Sequence, residues 1–152
     1  MQGRSIRVVA IASGGGHWVQ LRRLSPVLDE LDVFYVSVDP SYASEVGADR
    51  LYLVRDASRW TKLGLVLQAL QVLWIMIRLR PGAVLSTGAS PGFFGLLFGK
   101  LLGARTVWLD SLANVEEMSL SGRLARRYAD LCLTQWPHLA SPEGPQYAGA
   151  VL

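Results

Sequence analysis

The chain has 152 residues, of which 51% are hydrophobic and 18% charged, and its formal net charge at pH 7 is +3. This length is that of one ordinary domain, and the apolar content excludes a disordered or strongly solvated chain. The modest charge requires no nucleic-acid partner, and the one cysteine, Cys132, excludes a disulfide framework or an intrachain thiolate metal site. Because the apolar run after Arg7 is too short for a signal peptide, we expect a cytoplasmic protein.

The first predicted elements are a strand, a glycine loop and a helix. The strand is predicted over residues 7–12, and apolar residues then recur at helical spacing over residues 18–31. Between them lie Ser13, Gly14, Gly15, Gly16 and His17. Three glycines let the backbone turn sharply and approach a ligand, and the free N–H groups of the following helix favour an anion. His17, at the helix entrance, is a candidate base.

Two further strands are predicted over residues 32–38 and 50–54. Apolar strands that alternate with helices predict a parallel sheet covered on both faces, with ligands at the carboxyl ends of the strands. Asp39 follows the second strand, where dinucleotide-binding enzymes hold a ribose hydroxyl. A nucleotide-binding module therefore stays an alternative, although the glycine loop departs from the G-x-G-x-x-G pattern.

The most apolar segment, residues 61–79, is predicted to be a helix. Its polar residues fall on one narrow stripe, and the remaining circumference is apolar. Two interpretations stay open: a helix buried within the protein, or a helix that packs on the sheet and also dips into a bilayer interface. A full transmembrane span is disfavoured because the charge-free core is short and contains two glutamines. The residues predicted to contact the membrane are Leu63, Leu67, Leu70, Trp74 and Arg78.

The second half of the chain repeats the pattern. Strands are predicted over residues 83–86, 105–109 and 131–134, and a short basic helix over 123–129. A second small-residue loop, residues 87–92, is another candidate anion site, with Ser90 as the predicted N-cap of the next helix. Asp110 ends a strand, which is a usual position for a catalytic group. Residues 141–145 are predicted to form a turn-rich linker.

Five motifs in this order resemble those of one glycosyltransferase family. They are Ser13-Gly14-Gly15-Gly16-His17, Leu85 to Pro91, Asp110-Ser111, Leu120 to Arg123 and Gln135-Trp136-Pro137. The chain resembles the acceptor-side subunit of the split N-acetylglucosaminyltransferase of asparagine-linked glycosylation, and it resembles the bacterial PssD-type exopolysaccharide proteins more closely still. The resemblance covers essentially the whole chain. It implies an α/β fold, a Rossmann-like parallel sheet with helices on both faces, equivalent to the N-terminal half of a GT-B glycosyltransferase such as MurG.

The resemblance also implies that the chain is half of an enzyme. Residues 1–152 would form a single acceptor- and membrane-binding domain, which pairs with a donor-binding subunit as a heterodimer through a tail of residues 140–152. The pair would transfer a sugar from a nucleotide sugar, such as a UDP-sugar, to a polyprenyl-diphosphate-linked saccharide in glycan or polysaccharide biosynthesis. It would act as a peripheral enzyme on the inner face of the cell membrane.

The same resemblance assigns roles to individual residues. His17 would assist deprotonation of the acceptor hydroxyl, and no metal or cofactor is expected from this chain. Asp110 is the second catalytic candidate by its position at the end of a strand. The acceptor diphosphate would lie against the two loops, on Ser13, Gly14, Gly15, Gly16, Ser86, Thr87, Gly88 and Ser90.

The chain departs from the family pattern in two places. We expect it to lack the N-terminal transmembrane anchor of the eukaryotic subunit, which makes residues 61–79 more important for membrane attachment. Asp110 stands where glutamate is expected. Two other functions stay open: a non-catalytic membrane scaffold that activates a catalytic partner, and a free-standing Rossmann nucleotide-binding oxidoreductase or epimerase.

Overall fold

The computed structural model describes residues 5–58 and 60–151, and its centre is a parallel sheet. In these residues the strands are β1 Arg7–Ala12, β2 Asp32–Ser37, β3 Leu51–Leu53, β4 Ala83–Gly88, β5 Arg105–Leu109, β6 Leu131–Thr134 and β7 Gln146–Tyr147. They lie in the order β3-β2-β1-β4-β5-β6-β7, and every neighbouring pair is parallel. The order reverses between β1 and β4, which is the switch point where ligands bind in sheets of this kind. The predicted Rossmann-like class is confirmed.

Helices cover both faces of the sheet. They are α1 Gly16–Arg22, α2 Ser25–Leu28, α3 Ala43–Val46, α4 Lys62–Leu79, α5 Ala89–Leu101 and α6 Leu120–Ala125, with short 3-10 turns at Pro40–Tyr42 and Pro137–Leu139. Alternate residues of β1 enter two apolar layers: Val9 and Ile11 pack with residues of α4 and α5, whereas Val8 and Ala10 pack with residues of α1 and α2. Because both faces of the central strands are buried, these strands are apolar almost throughout.

Three local predictions are wrong. The single helix expected over residues 18–31 is two helices, because Pro26 has no N–H to donate and instead occupies the first turn of α2. Ser90 is not an N-cap, since α5 begins at Ala89 and is capped by Gly88. The short basic helix expected over residues 123–129 is displaced, since α6 begins at Leu120 and ends at Ala125. The turn-rich linker expected over residues 141–145 is confirmed, and it leads into β7, whose two residues pair with β6.

The helix α4 turns part of its polar stripe toward the protein, since Gln68 is buried whereas Gln71 and Arg78 are exposed. Gln68 is fully buried, together with Val72, Ile75 and Met76, while the opposite side carries exposed apolar side chains. We call that side the outer face of α4, and it consists of Leu63, Val66, Leu67, Leu70, Trp74 and Ile77. The interpretation of a helix buried on all sides is therefore wrong, since 28% of α4 is buried within the fold. By length and composition α4 is the one helix in the described residues that would suffice to cross a bilayer.

Candidate active site

The site lies at the switch point, where a bulge in β4 meets the start of α1. The register of β1 on β4 steps from Ile11 opposite Ser86 to Ala12 opposite Gly88, so that Thr87 is an extra residue. A bulge of this kind removes a residue from the strand ladder and redirects its groups, often beside an active site. Here the carbonyl of Thr87 points to the helix that begins after the glycine loop.

His17 is bound to Thr87 through two hydrogen bonds. Its Nδ1 lies 3.1 Å from the carbonyl oxygen of Thr87, and the Thr87 hydroxyl donates to the carbonyl of His17 at 2.7 Å. Because a carbonyl oxygen only accepts hydrogen bonds, Nδ1 must carry the proton that it shares. In the neutral imidazole the Nε2 atom then keeps its lone pair and can accept a proton. The geometry therefore gives His17 the tautomer that a general base needs.

Gly88 makes room for this imidazole. A Cβ atom at position 88 would lie 2.3 Å from His17 Nδ1, and the residue has a φ of 143°, which side chains rarely tolerate. Position 88 therefore requires glycine for two independent reasons.

The glycine loop is held open by an aromatic residue that sequence reasoning missed. The Tyr42 hydroxyl accepts a hydrogen bond of 3.0 Å from the Gly15 N–H, and its ring stacks on that of Trp18 with centroids 4.2 Å apart. Gly15, with a φ of 67°, and Gly16 are exposed, and no heavy atom lies within 4 Å of a Cβ built on either. At these two residues the loop therefore presents backbone without side chains to the solvent, although the Gly15 N–H is already bound to Tyr42.

A cleft of about 600 Å³ opens at this edge of the sheet. Of the predicted site residues, it is lined by Ser13, His17 and Ser90. Ser86 and Thr87 lie behind it, fully buried, and the Ser86 hydroxyl accepts a hydrogen bond from the Gly88 N–H. The second predicted anion loop is thus a direct strand-to-helix turn, whose buried hydroxyls support His17 and the start of α5.

The cleft combines polar and apolar groups. Its hydroxyl, amide and carboxylate groups come from loops, including Asp56, Ser58 and Asn114, which sequence reasoning missed, and from Ser90 of α5 and Ser121 of α6. The helices supply apolar side chains, namely Leu65 of α4, Phe93 and Phe94 of α5, and Leu120 and Leu124 of α6. Such a cleft fits a ligand with a polar and an apolar part.

Asp110 lies beneath the cleft and not on its surface. It is 1% exposed, and its Oδ1 accepts hydrogen bonds from Trp108 Nε1 at 3.0 Å and from the Ser119 hydroxyl at 2.6 Å. Its Oδ2 accepts from the Ser119 N–H at 2.9 Å and from Asn114 Nδ2 at 3.2 Å. Because Asn114 and Ser119 line the cleft, this carboxylate orients the lining, and its predicted catalytic role stays a prediction.

Buried amides connect the site helix to the end of the chain. Gln135 Nε2 donates to Gln20 Oε1 on α1 at 2.5 Å, and Gln20 Nε2 donates to the Ser111 hydroxyl at 3.1 Å. The Val151 N–H donates to Gln135 Oε1 at 2.7 Å, and the Val151 carbonyl accepts from Arg23 Nη1 at 3.1 Å. The tail is thereby held against the helix that carries His17.

The residues predicted to contact a membrane lie together on α4. Leu63, Leu70 and Trp74 are 74%, 57% and 57% exposed, and Leu67 and Arg78 are exposed beside them. The Arg78 guanidinium lies over the Trp74 ring, 5.5 Å from its centroid. Since Leu65 lines the cleft and belongs to the same helix, the outer face of α4 begins at the rim of the cleft.

Comparison with known proteins points to one family. The family described as "Oligosaccharide biosynthesis protein Alg14 like" matches residues 54–151. The UDP-N-acetylglucosamine transferase subunit ALG14 of Eremothecium gossypii is 56% identical over 36 residues, which are 24% of this chain and 16% of that protein. The subunit of the same name from Mus musculus is 26% identical over 176 aligned residues, 89% of this chain and 77% of the mouse protein. The matched segment thus covers a small part of the Eremothecium gossypii protein and about three quarters of the mouse protein.

Solved structures match the fold over nearly the whole chain. MurG of Acinetobacter baumannii superimposes with a TM-score of 0.74 at 14% identity, over 94% of this chain and 45% of MurG. UDP-N-acetylglucosamine 2-epimerase of Rickettsia bellii superimposes with a TM-score of 0.72 at 15% identity, over 97% of this chain and 46% of the epimerase. The chain therefore corresponds to less than half of each of these larger proteins.

Proposed function

Since the chain belongs to the Alg14-like family of oligosaccharide biosynthesis proteins, we propose that it is the acceptor-binding subunit of a two-component glycosyltransferase. Its relatives are named as subunits of a UDP-N-acetylglucosamine transferase, and the chain corresponds to less than half of MurG. The donor-binding half would be a separate polypeptide. The reaction would move a sugar from a nucleotide sugar to a polyprenyl-diphosphate-linked saccharide at the inner face of the cell membrane.

The proposed acceptor site is the cleft at the switch point. Ser13 and Ser90 on the lining, with the exposed backbone of Gly16 close to Ser13 in the chain, are suited to the diphosphate. The apolar side chains from α4, α5 and α6 are suited to the first part of the lipid. This assignment rests on one observation: polar groups suited to a diphosphate and apolar side chains suited to a lipid line the same cleft.

His17 is the proposed catalytic base. The acceptor hydroxyl oxygen would attack the anomeric carbon of the donor, the bond from that carbon to the nucleotide diphosphate would break, and the hydroxyl proton would pass to Nε2. The Nδ1 contact with Thr87 at 3.1 Å supports this role because it leaves Nε2 available.

Turnover by the reconstituted heterodimer tests this role. His17→Ala should lower kcat by roughly 100-fold or more, the usual contribution of a positioned base, while the heterodimer still forms in gel filtration. His138→Ala is the matched control, because His138 is exposed and does not line the cleft. Full turnover by His17→Ala would remove this residue from catalysis.

The outer face of α4 is the proposed membrane contact. Contiguous exposed apolar side chains on a soluble surface mark an interaction site, and the flanking Lys62 and Arg78 suit anionic headgroups. Leu70→Asp and Trp74→Asp should each weaken binding to phosphatidylglycerol vesicles by about tenfold or more. Each removes apolar area that the bilayer would bury and adds a negative charge that the anionic headgroups repel. Val27→Asp, at an exposed valine on α2, is the control.

The two sets of variants also separate catalysis from scaffolding. If Leu70→Asp abolishes vesicle binding and transfer while His17→Ala and Gly15→Val retain transfer, the chain is a membrane scaffold for a catalytic partner. If the chain alone binds a nicotinamide cofactor or a UDP-sugar tightly in calorimetry, it is a free-standing nucleotide-binding protein.

A further inference from the structure

The segment that follows β3 is fixed from two sides. The Arg55 N–H donates to Gln71 Oε1 at 2.7 Å, and Gln68 Nε2 donates to the Arg55 carbonyl at 2.8 Å, so that α4 holds this peptide at both of its polar groups. From α5, the Ser90 hydroxyl donates to the Ala57 carbonyl at 3.3 Å. The residue between these fixed points is Asp56.

The side chain that binds the Arg55 carbonyl, Gln68, is buried at a cost in stability. Gln68 is fully buried on the side of α4 that otherwise packs Val72 and Met76 into the core, and its Oε1 has no hydrogen-bond partner among the described residues. A buried amide oxygen without a partner costs about 1–3 kcal/mol, whereas a leucine would fill the position without that penalty. The gain visible in the structure is a rigid backbone at the rim of the cleft.

Asp56 lines the cleft and is the acidic side chain of its lining. It is exposed, and it takes part in none of the hydrogen bonds or salt bridges found among the described residues. A carboxylate repels a diphosphate, but it accepts hydrogen bonds from sugar hydroxyls and can engage two of them at once. A carboxylate on a fixed backbone, without a partner among the described residues, is therefore suited to the uncharged part of the acceptor.

On the basis of the proposed function, we infer that Asp56 binds hydroxyl groups of the acceptor saccharide and that Gln68 and Gln71 are its positioning residues. The acceptor would then be recognised at two places: the glycine loop binds the diphosphate, and Asp56 binds the saccharide. This assignment makes Asp56 a determinant of which lipid-linked saccharide is used.

Binding of paired lipid probes to the intact chain isolates the sugar contribution. The probes are farnesyl diphosphate and its conjugates in which the diphosphate carries glucose or N-acetylglucosamine, titrated in detergent by calorimetry. The wild type should bind at least one conjugate more tightly than plain farnesyl diphosphate. Asp56→Asn should weaken that conjugate by about tenfold, the value of one charge-assisted hydrogen bond, and should leave plain farnesyl diphosphate unchanged or bound more tightly. Asp49→Asn, at an exposed aspartate outside the cleft, is the matched control.

A double-mutant cycle tests the positioning role. Gln71→Ala should weaken the conjugate by severalfold, and adding it to Asp56→Asn should have almost no further effect, because Gln71 acts through Asp56. A merely structural role would give additive losses and would weaken plain farnesyl diphosphate equally.

Other outcomes overturn the inference in distinguishable ways. If the wild type binds plain farnesyl diphosphate and neither sugar improves it, or if Asp56→Asn changes all probes alike, Asp56 does not read the saccharide. If Asp56→Asn weakens plain farnesyl diphosphate only when Mg²⁺ is present, the carboxylate holds a cation instead. If no probe binds to the wild type at all, the proposed acceptor function itself fails.

Discussion

Replacing Gly88 by alanine probes the packing that sets the tautomer of His17. The new Cβ would lie 2.3 Å from Nδ1, so the imidazole must move and lose its hydrogen bond to the Thr87 carbonyl. The backbone has a φ of 143° and a ψ of 176°, a region that is essentially restricted to glycine. Backbone strain, overpacking and the lost hydrogen bond together predict a loss of about 3–5 kcal/mol in the free energy of unfolding.

A control glycine separates strain from steric conflict. Gly103 also has a positive φ, 86°, but a Cβ at that position would have no heavy atom within 4 Å. Gly103→Ala should therefore lower the free energy of unfolding by only about 1 kcal/mol. Urea denaturation followed by circular dichroism measures both variants, and their slopes against urea concentration should agree.

The decisive comparison repeats Gly88→Ala in the His17→Ala background. Without the imidazole the new methyl group has space, so the cost of Gly88→Ala should fall by about 2 kcal/mol or more. An equal cost in both backgrounds would refute the argument that Gly88 is required by His17. In the proposed heterodimer, Gly88→Ala should reduce transfer nearly as much as His17→Ala, because it displaces the proposed base.

Three further predictions concern groups outside the cleft. Burial, reinforced by the charge of Asp110, raises the pKa of the Cys132 thiol to about 11, so iodoacetamide at pH 8 should alkylate it far more slowly in the native protein than in urea; equal rates would contradict its burial. The Lys100 ammonium and the Thr106 N–H hold the pKa of Asp130 below its usual value, so the ionised carboxylate stabilises the folded state. This stabilisation is present above the unfolded pKa of about 4 and is lost as pH falls through the lower folded value. The destabilisation caused by Asp130→Asn in urea titrations should therefore disappear in acid. Gln135→Leu should lower the free energy of unfolding by about 2–3 kcal/mol, because it leaves buried hydrogen-bond partners unpaired. It should also accelerate hydrogen exchange of the Val151 N–H, which donates to Gln135 in the wild type. Unchanged exchange would show that other contacts hold the tail.

The sheet could be predicted from the sequence because its strands are buried on both faces. The predicted bounds of β1, β5 and β6 equal the observed ones, since each is a short apolar run that ends at glycines or polar residues. The sequence also placed the glycine loop directly after a strand, as the structure has it. What it could not supply was the bulge at Thr87, because a one-residue step in register depends on pairing between distant segments.

Within the candidate site, His17 could be singled out from the sequence, but the residues that hold its surroundings in place could not. His17 stands out locally because it follows three glycines, whereas Tyr42 supports the loop from 27 residues away, through a contact between separate elements. Ser90 followed by Pro91 is a normal helix start, yet α5 begins at Ala89, directly after the glycine whose missing side chain leaves space for the imidazole. Asp56 has no motif around it, and only its position at the cleft gives it a meaning.

The orientation of α4 is the clearest case in which periodicity alone is insufficient. A polar stripe on an apolar helix is normally interpreted as the side that faces water. Here Gln68 of that stripe is buried and Gln71 is exposed, both bind the backbone at the cleft rim, and an apolar side of the helix also faces outward. An exposed apolar face of this size is unfavourable in water and calls for a covering phase or partner. Because the same helix contacts the cleft through Leu65, a membrane bound to its outer face would lie close to the cleft, as the proposed lipid-linked acceptor requires.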